Sequence, residues 1–224
     1  MRILHVNASF QGGALPTLEK EYSRLECFEK FALTATAQHL KDVEGVGEFL
    51  KSCGKIVVSK SQILGCQRGG ALTVKDEVDC YLHLGSGRFH PTILAVEAGK
   101  PVYILNPISK VLDQVTGDEI REFKKRQTVQ VKRSAGAQRF GIMVSTKPGQ
   151  KNLNQALKLK EKLEDAGRKA YILVGNELSP QNLLGVNVDA LVNTACPRIA
   201  EDEFEKPVLN PPELEIFFKQ VEKV

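Results

Sequence analysis

Val78-Asp-Cys-Tyr-Leu-His-Leu-Gly-Ser-Gly-Arg88 and Val188-Asp-Ala-Leu-Val-Asn-Thr-Ala-Cys-Pro-Arg198 align without a gap at an offset of 110 residues. Each begins with Val-Asp, continues through a short apolar run and ends in a loop closed by arginine. Working outward, Phe31-Ala-Leu-Thr-Ala-Thr-Ala37 lies over Phe140-Gly-Ile-Met-Val-Ser-Thr146, at an offset of 109. Both are small apolar runs of the kind a buried strand needs. An amphipathic helix follows each. Leu40, Val43, Val46, Phe49, Leu50 and Cys53 share one face, as do Ala156, Leu159, Leu163 and Ala166. Gly54 and Gly167 then supply left-handed C-caps. Further along, Lys100-Pro-Val102 matches Lys206-Pro-Val208, and Leu105-Asn-Pro107 matches Leu209-Asn-Pro211. Strands alternating with helices imply parallel sheets covered on both faces. The expectation is an α/β chain of two homologous, doubly wound parallel-sheet domains related by an internal repeat. They span 1–115 and 134–224, joined by a basic helix over 116–133, and Pro211-Pro212 opens a last helix.

The length of 224 residues suits two such domains, and 42% apolar with 26% charged residues describes an ordinary globular chain. No apolar run is long enough to cross a membrane. The start, MRILHVNASFQGG, lacks the apolar length and cleavage site of a secretory signal, so the expected location is cytoplasmic. The formal charge is only +4, and with no Trp and 6% aromatics there is little for nucleic acid to stack on. Direct nucleic-acid binding is not expected. Arg121, Lys124, Lys125, Arg126, Lys132 and Arg133 form the densest basic stretch. A solvated helix face is the plain reading and a docking surface for an acidic or RNA-associated partner the functional one.

Open α/β sheets bind ligands beyond the carboxyl ends of their strands. Three loops are expected there. In Gly85-Ser86-Gly87-Arg88-Phe89-His90-Pro91, two glycines let backbone N–H groups approach an anion, and Arg88 could pair with a carboxylate or phosphate. The other two are Asn193-Thr-Ala-Cys196-Pro-Arg198 and Ile63-Leu-Gly-Cys66-Gln-Arg68-Gly-Gly70. Cys66 and Cys196 sit in loops beside positive charge, the setting for metal binding or nucleophilic sulfur. Cys53 and Cys80 read as small buried hydrophobes, and Cys27, in a charged stretch, is left open. An odd number of cysteines, five, argues against a disulfide framework, and the absence of any CxxC pair against a zinc finger. The four histidines, His5, His39, His83 and His90, are scattered, and no GxGxxG, Walker, HExxH or GxSxG motif occurs.

Taken together, LGCQRGG, VDCYLHLGSGRFHPTILAVEAGKPVYILNP, STKPGQ and VNTACPRIAEDEFEKPVLNPPELE resemble the diphthamide-synthesis radical enzymes, the 2-(3-amino-3-carboxypropyl)histidine synthases. The resemblance runs from about residue 30 to 220. It implies three related α/β domains, each giving one cysteine to a 4Fe–4S cluster. The cluster would bind S-adenosylmethionine and cleave it to a 3-amino-3-carboxypropyl radical, which adds to a histidine of translation elongation factor 2. Carried over, Cys66 and Cys196 match the second- and third-domain cluster ligands. Gly85, Ser86, Gly87, Arg88 and His90, with Arg198, match residues expected to line the S-adenosylmethionine site. The family's first domain has no counterpart here, which leaves the cluster one ligand short. The expectation is therefore a homo- or hetero-oligomer with a chain carrying that domain, an accessory paralogue of a full-length synthase, or Cys27 as substitute ligand. A nucleotide- or carboxylate-binding module, or an enzyme resembling quinolinate synthase, are the alternatives of another class.

Overall fold

A computed structural model describes residues 9–10, 12–63 and 69–221. Cys66 and Arg68 lie outside the described residues. The chain divides into two compact units, Met1–Phe123 and Lys124–Val224.

In the first unit the strands are β1 (Lys30–Ala35), β2 (Ile56–Gln62), β3 (Cys80–Leu84), β4 (Val102–Asn106) and β5 (Val111–Gln114), in the order β2-β1-β3-β4-β5. The first four are parallel and β5 is antiparallel to β4. This antiparallel edge strand is not part of the expected parallel sheet. Its hairpin is made by the Asn106 side chain, which accepts the N–H groups of Ile108 and Ser109, and by Lys110 at φ +56°. None of the usual hairpin dipeptides marks it. Along β1 and β3 the side chains alternate between two cores. Phe31, Leu33, Leu82 and Leu84 face α1 (Leu15–Glu21) and α2 (Asp42–Ser52), with Leu18, Val43, Val46 and Leu50. Ala32 and Tyr81 face α3 (Gly69–Leu72) and α4 (Phe89–Ala98), with Ala71, Leu94 and Ala95. Helices on both faces make this unit doubly wound. Gly54, just past α2, has φ +78°, the left-handed conformation its missing Cβ permits.

The helix α5 (Gly117–Ser134) carries the chain across the division. It is packed at both ends. Ile120 lies against the α3–α4 core of the first unit, and Val131 belongs to a core of the second. Between them Lys124, Lys125 and Arg126 are exposed.

The second unit has β6 (Arg139–Ser145), α6 (Leu153–Asp165), β7 (Lys169–Gly175), β8 (Ala190–Asn193), β9 (Val208–Leu209) and α7 (Pro211–Val221). Its four strands are parallel in the order β7-β6-β8-β9, which is the strand order of β2-β1-β3-β4. Register agrees too. Phe31 pairs with Cys80 as Phe140 pairs with Ala190, and Tyr81 with Val102 as Leu191 with Val208. Even the strand starts are held alike. Asp79 Oδ2 accepts the N–H groups of Glu29 (3.1 Å) and Lys30 (2.8 Å). Asp189 Oδ2 accepts those of Gln138 (3.1 Å) and Arg139 (2.9 Å).

Here the double winding expected of both domains fails. The helices α6 and α7 cover one face with Ala156, Leu159, Leu163, Leu214 and Phe217. The other face, Met143 and Leu191, is closed by loops carrying Leu178, Val188 and Ala195 and by 3-10 turns at Gln181–Leu183 and Pro197–Glu201. The segment after Arg198 reaches Lys206 four residues sooner than Arg88 reaches Lys100, and it is filled with Glu201, Asp202, Glu203 and Glu205. It is too short and too acidic for an apolar helix face like that of α4.

Candidate functional site

Three loops follow parallel strands at their carboxyl ends. In the first unit, β3 runs straight into Gly85-Ser86-Gly87. Beneath that loop His83 is fully buried, and its Nδ1 shares a hydrogen bond with the Thr34 hydroxyl at 3.0 Å. Its Nε2 has no hydrogen-bond partner among the described residues. A Cβ on Gly85 would sit 2.8 Å from that nitrogen, so glycine is required where the loop crosses the ring. Burial, reinforced by His90 and His39, lowers the His83 imidazole to about 3 and keeps it neutral. Ser86 and Gly87 are exposed, and His90 is half-buried in the first turn of α4, edge-on to Phe89 at 5.3 Å.

Arg88 does not present an open guanidinium to an anion. Its Nε donates to Glu119 Oε1 at 2.5 Å, its Nη2 to Glu119 Oε2 at 2.7 Å and to the Gln114 carbonyl at 2.9 Å, and its Nη1 to Asp113. The Arg88 fork holds the Glu119 carboxyl down at about 2, and the two carboxylates push the guanidinium up. Glu119 is also half of a capping box. Thr116 Oγ1 accepts the Glu119 N–H, and Glu119 Oε2 accepts the Thr116 N–H at 2.8 Å. Arg88 therefore ties the glycine loop to the first turn of α5. The anion-pairing expected of it is met inside the chain by Asp113 and Glu119, whose spacing from Arg88 in sequence gave no warning.

In the second unit, β8 ends at Asn193 and the loop Thr194-Ala195-Cys196 follows. Cys196 is half-buried and caps the 3-10 turn Pro197–Glu201, with extended φ −69° and ψ 125°. Asn193, 1% exposed, donates through Nδ2 to the Cys196 carbonyl and to Asn210 Oδ1, both at 2.9 Å, and accepts the Ala195 N–H at 3.0 Å. Asn152 donates to the Thr194 carbonyl at 2.8 Å, and the Thr194 hydroxyl to the Met143 carbonyl at 2.8 Å. Arg198 is exposed on the 3-10 turn. Burial raises the nearby Glu201 carboxyl against the opposing pull of Arg198 and Arg126. Sequence reading singled out Cys196 but not its frame of asparagines. The available signal was the polar Asn193 at the end of an otherwise apolar strand.

The remaining cysteines separate by position. Ile63, buried at the carboxyl end of β2 with its N–H on the Ala35 carbonyl, and Gly69, at the start of α3, are the described residues on either side of the segment 64–68 that includes Cys66. Cys80 is buried, and desolvation pushes its thiol well up, as expected of a structural cysteine. Cys53, expected on a buried helix face, instead closes α2 and is half-buried. Cys27 is exposed just before β1, at the amino end of the sheet. That is the edge away from the Gly85-Ser86-Gly87 loop. Among the described residues no three His, Cys, Asp or Glu side chains gather as a metal site. At the carboxyl edges of the sheets, the thiol that the described residues offer a cluster is Cys196, half-buried on a firmly held backbone. That suits one ligand and leaves the rest of the set to residues not described or to another domain.

Fold and loops define a class, α/β proteins with paired parallel sheets whose carboxyl-edge loops carry glycine, arginine and cysteine. Comparison with known proteins narrows it to one family. The sequence profile of the diphthamide synthesis protein family matches residues 2–224, and the chain belongs to that family. A 2-(3-amino-3-carboxypropyl)histidine synthase of Pyrococcus horikoshii is 33% identical over 199 residues, 84% of this chain and 56% of the relative. That of Methanocaldococcus jannaschii is 35% identical over 202 residues, 80% of this chain and 57% of the relative. Subunit 1 of the synthase from Gallus gallus is 31% identical over 85% of this chain and 48% of its own. The chain thus spans about half the length of the curated relatives it matches. The crystal structure of Dph2 from Pyrococcus horikoshii with a 4Fe-4S cluster superposes with a TM-score of 0.84 at 31% identity, covering 95% of this chain and 64% of that one. Among the described residues no helix is long and apolar enough to cross a membrane.

Proposed function

We propose that this chain forms part of a cytoplasmic 2-(3-amino-3-carboxypropyl)histidine synthase. In that reading Cys66 and Cys196 are thiolate ligands of a 4Fe–4S cluster. A bound cluster would supply the electron that breaks one S–C bond of S-adenosylmethionine, releasing methylthioadenosine and a 3-amino-3-carboxypropyl radical; addition of that radical to a histidine of translation elongation factor 2 would be completed by loss of an electron and a proton from the ring. The observation that carries it is Cys196 on a braced loop at the carboxyl end of β8, in a chain whose family match covers residues 2–224. Ser86, Gly87 and His90 of the first unit and Arg198 of the second are the residues we assign to S-adenosylmethionine, while Arg88 holds its loop from behind. Because Cys27 stands at the amino edge of its sheet, a third cluster thiol comes from a further domain, of this polypeptide or of an oligomeric partner. We also read the two units as copies of one ancestral domain, on their common strand order and register. The exposed Lys124 and Lys125 on α5 would steer encounter with the elongation factor if it presents an acidic surface, since charge sets encounter rate more than affinity.

Anaerobic reconstitution with iron and sulfide tests the core of this. The protein should turn brown, bind iron stoichiometrically and give a 4Fe–4S signal on reduction. Cys66→Ala and Cys196→Ala should each lose most of that iron, and Cys53→Ala should keep it. A colourless, iron-free wild-type protein, tested together with its partner domain, would leave a plain binding module as the better reading.

A further inference from the structure

We propose that Asn193 is a positioning residue whose carboxamide fixes the backbone of the Cys196 loop and so sets the direction in which the Cys196 Cα–Cβ bond presents its thiol. The importance of that thiol rests on the cluster reading above, but the bracing does not. Asn193 closes β8, which lies between β6 and β9, where both neighbours and both faces call for an apolar side chain. A carboxamide persists there only with its polar atoms paired. All three of its contacts go forward, to the Ala195 N–H, the Cys196 carbonyl and Asn210 at the entry to α7. The Cys196 carbonyl also accepts the Ile199 N–H at 3.0 Å, and the Thr194 carbonyl is taken by Asn152. Pro197 fixes the backbone immediately beyond. With the Thr194 and Cys196 carbonyls tied, the loop cannot rotate without breaking several bonds together, and the Cα–Cβ bond of Cys196 keeps one direction, which confines the thiol to the rotamers about that bond.

The hydrogen bonds have a direction that the test exploits. Asn193 must donate twice and Asn210 must accept. Asn193→Asp keeps size and shape but turns both donors into acceptors facing a carbonyl and another oxygen. Asn210→Asp keeps an acceptor. The measurement is alkylation of the full chain, without metal, by iodoacetamide, resolved by peptide mass at Cys196, with exposed Cys27 as internal standard. Asn193→Asp should raise the Cys196 rate roughly thirtyfold, the opening expected on losing its two donated hydrogen bonds. Asn210→Asp should change it less than about twofold, within the scatter of a retained bond. Cys27 should be unaffected in both. Should Asn193→Asp fail to fold, Asn193→Ser serves in its place, being too short to reach the Cys196 carbonyl. A folded position-193 variant that alkylates at the wild-type rate overturns the brace, as does Asn210→Asp matching Asn193→Asp. These readings stand apart from the iron content of Cys196→Ala, which tests the ligand assignment by itself.

Discussion

At one register position of the two sheets, His83 beside Thr34 on β1 and Asn193 beside Met143 on β6, the units solve the same problem differently. Both must turn the chain at the carboxyl end of a buried central strand and present a loop. In the second unit the strand-end residue reaches forward and makes three hydrogen bonds, two to the loop and one to Asn210. In the first it turns sideways to Thr34, and its Nε2 has no hydrogen-bond partner among the described residues. There the loop is held from its far end instead, by Arg88 on Glu119, Asp113 and the Gln114 carbonyl. The difference assigns different work to the loops. One fixes the backbone around a thiol. The other leaves Ser86 and Gly87 exposed between a buried histidine and an anchored arginine.

The comparison is most easily broken at Gly85, which occupies the place of Ala195. Gly85→Ala imports the second unit's residue but not its neighbour. The new Cβ would stand 2.8 Å from His83 Nε2, on a ring locked by burial. Overpacking of this kind costs about 1–3 kcal/mol. His83→Asn alone should also destabilise, by leaving Thr34 without its partner. The double substitution should cost less than the sum of the two, because the smaller side chain removes the clash. A thermodynamic cycle by chemical denaturation reads the coupling. Additive effects would mean that the loop, not the ring, dictates glycine.

The arginines give a smaller contrast. Arg88→Ala removes four hydrogen bonds, but the side chain is 42% exposed and partly screened, so a loss of about 1 kcal/mol is expected. Arg198→Ala, on an exposed turn beside Glu201, should cost less. Hydrogen exchange should localise the Arg88→Ala effect to the first turn of α5 and leave β6–β8 protected as before. Acid sharpens the same point. Glu119 is depressed to about 2 in the folded protein. Its contribution is therefore complete above its ordinary value near 4.3 and drains away as pH falls towards 2. Arg88→Ala should remove that part of the acid sensitivity.

Much of this architecture was legible in the chain itself, because strands buried on two faces write themselves as apolar runs and left-handed caps as glycines. Val-Asp before Cys80 and Ala190 marked the strand starts, and Gly54 and Gly167 the helix ends. What stayed hidden depends on partners distant in sequence. Arg88 finds Glu119 and Asp113 across 31 and 25 residues, so its looked-for anion turns out to be internal. The missing helix after Arg198 was visible as a four-residue shortening, but the alignment of its flanks masked it. The β5 hairpin rests on one asparagine side chain and a lysine in the left-handed region, neither of which is a strong local signal.

The smallest difference lies at the other end of the strands, where the two aspartates do the same job with unequal support. Asp79 accepts two backbone N–H groups, whereas Asp189 accepts two and also pairs with the Arg139 guanidinium at 2.7 Å. The Arg139 hydrogen bond is the leading cause that holds Asp189 near 2, and the backbone N–H groups of Lys30 and Glu29 lower Asp79. A depressed carboxyl stabilises above its unfolded value, near 3.9, and loses that contribution as pH falls through its folded value. Asp189→Asn should therefore flatten the loss of stability between about pH 4 and 2 more than Asp79→Asn does. Neither should matter much to the shape of the profile above pH 6. Both sites are near the surface, so each effect is expected to be a fraction of a kcal/mol, near the limit that urea titration at several pH values resolves. Adding Arg139→Ala to the Asp79→Asn and wild-type backgrounds separates the terms. If Arg139→Ala leaves the acid limb unchanged in both, the guanidinium contributes nothing, and the two strand starts are energetically as alike as their backbone hydrogen bonds.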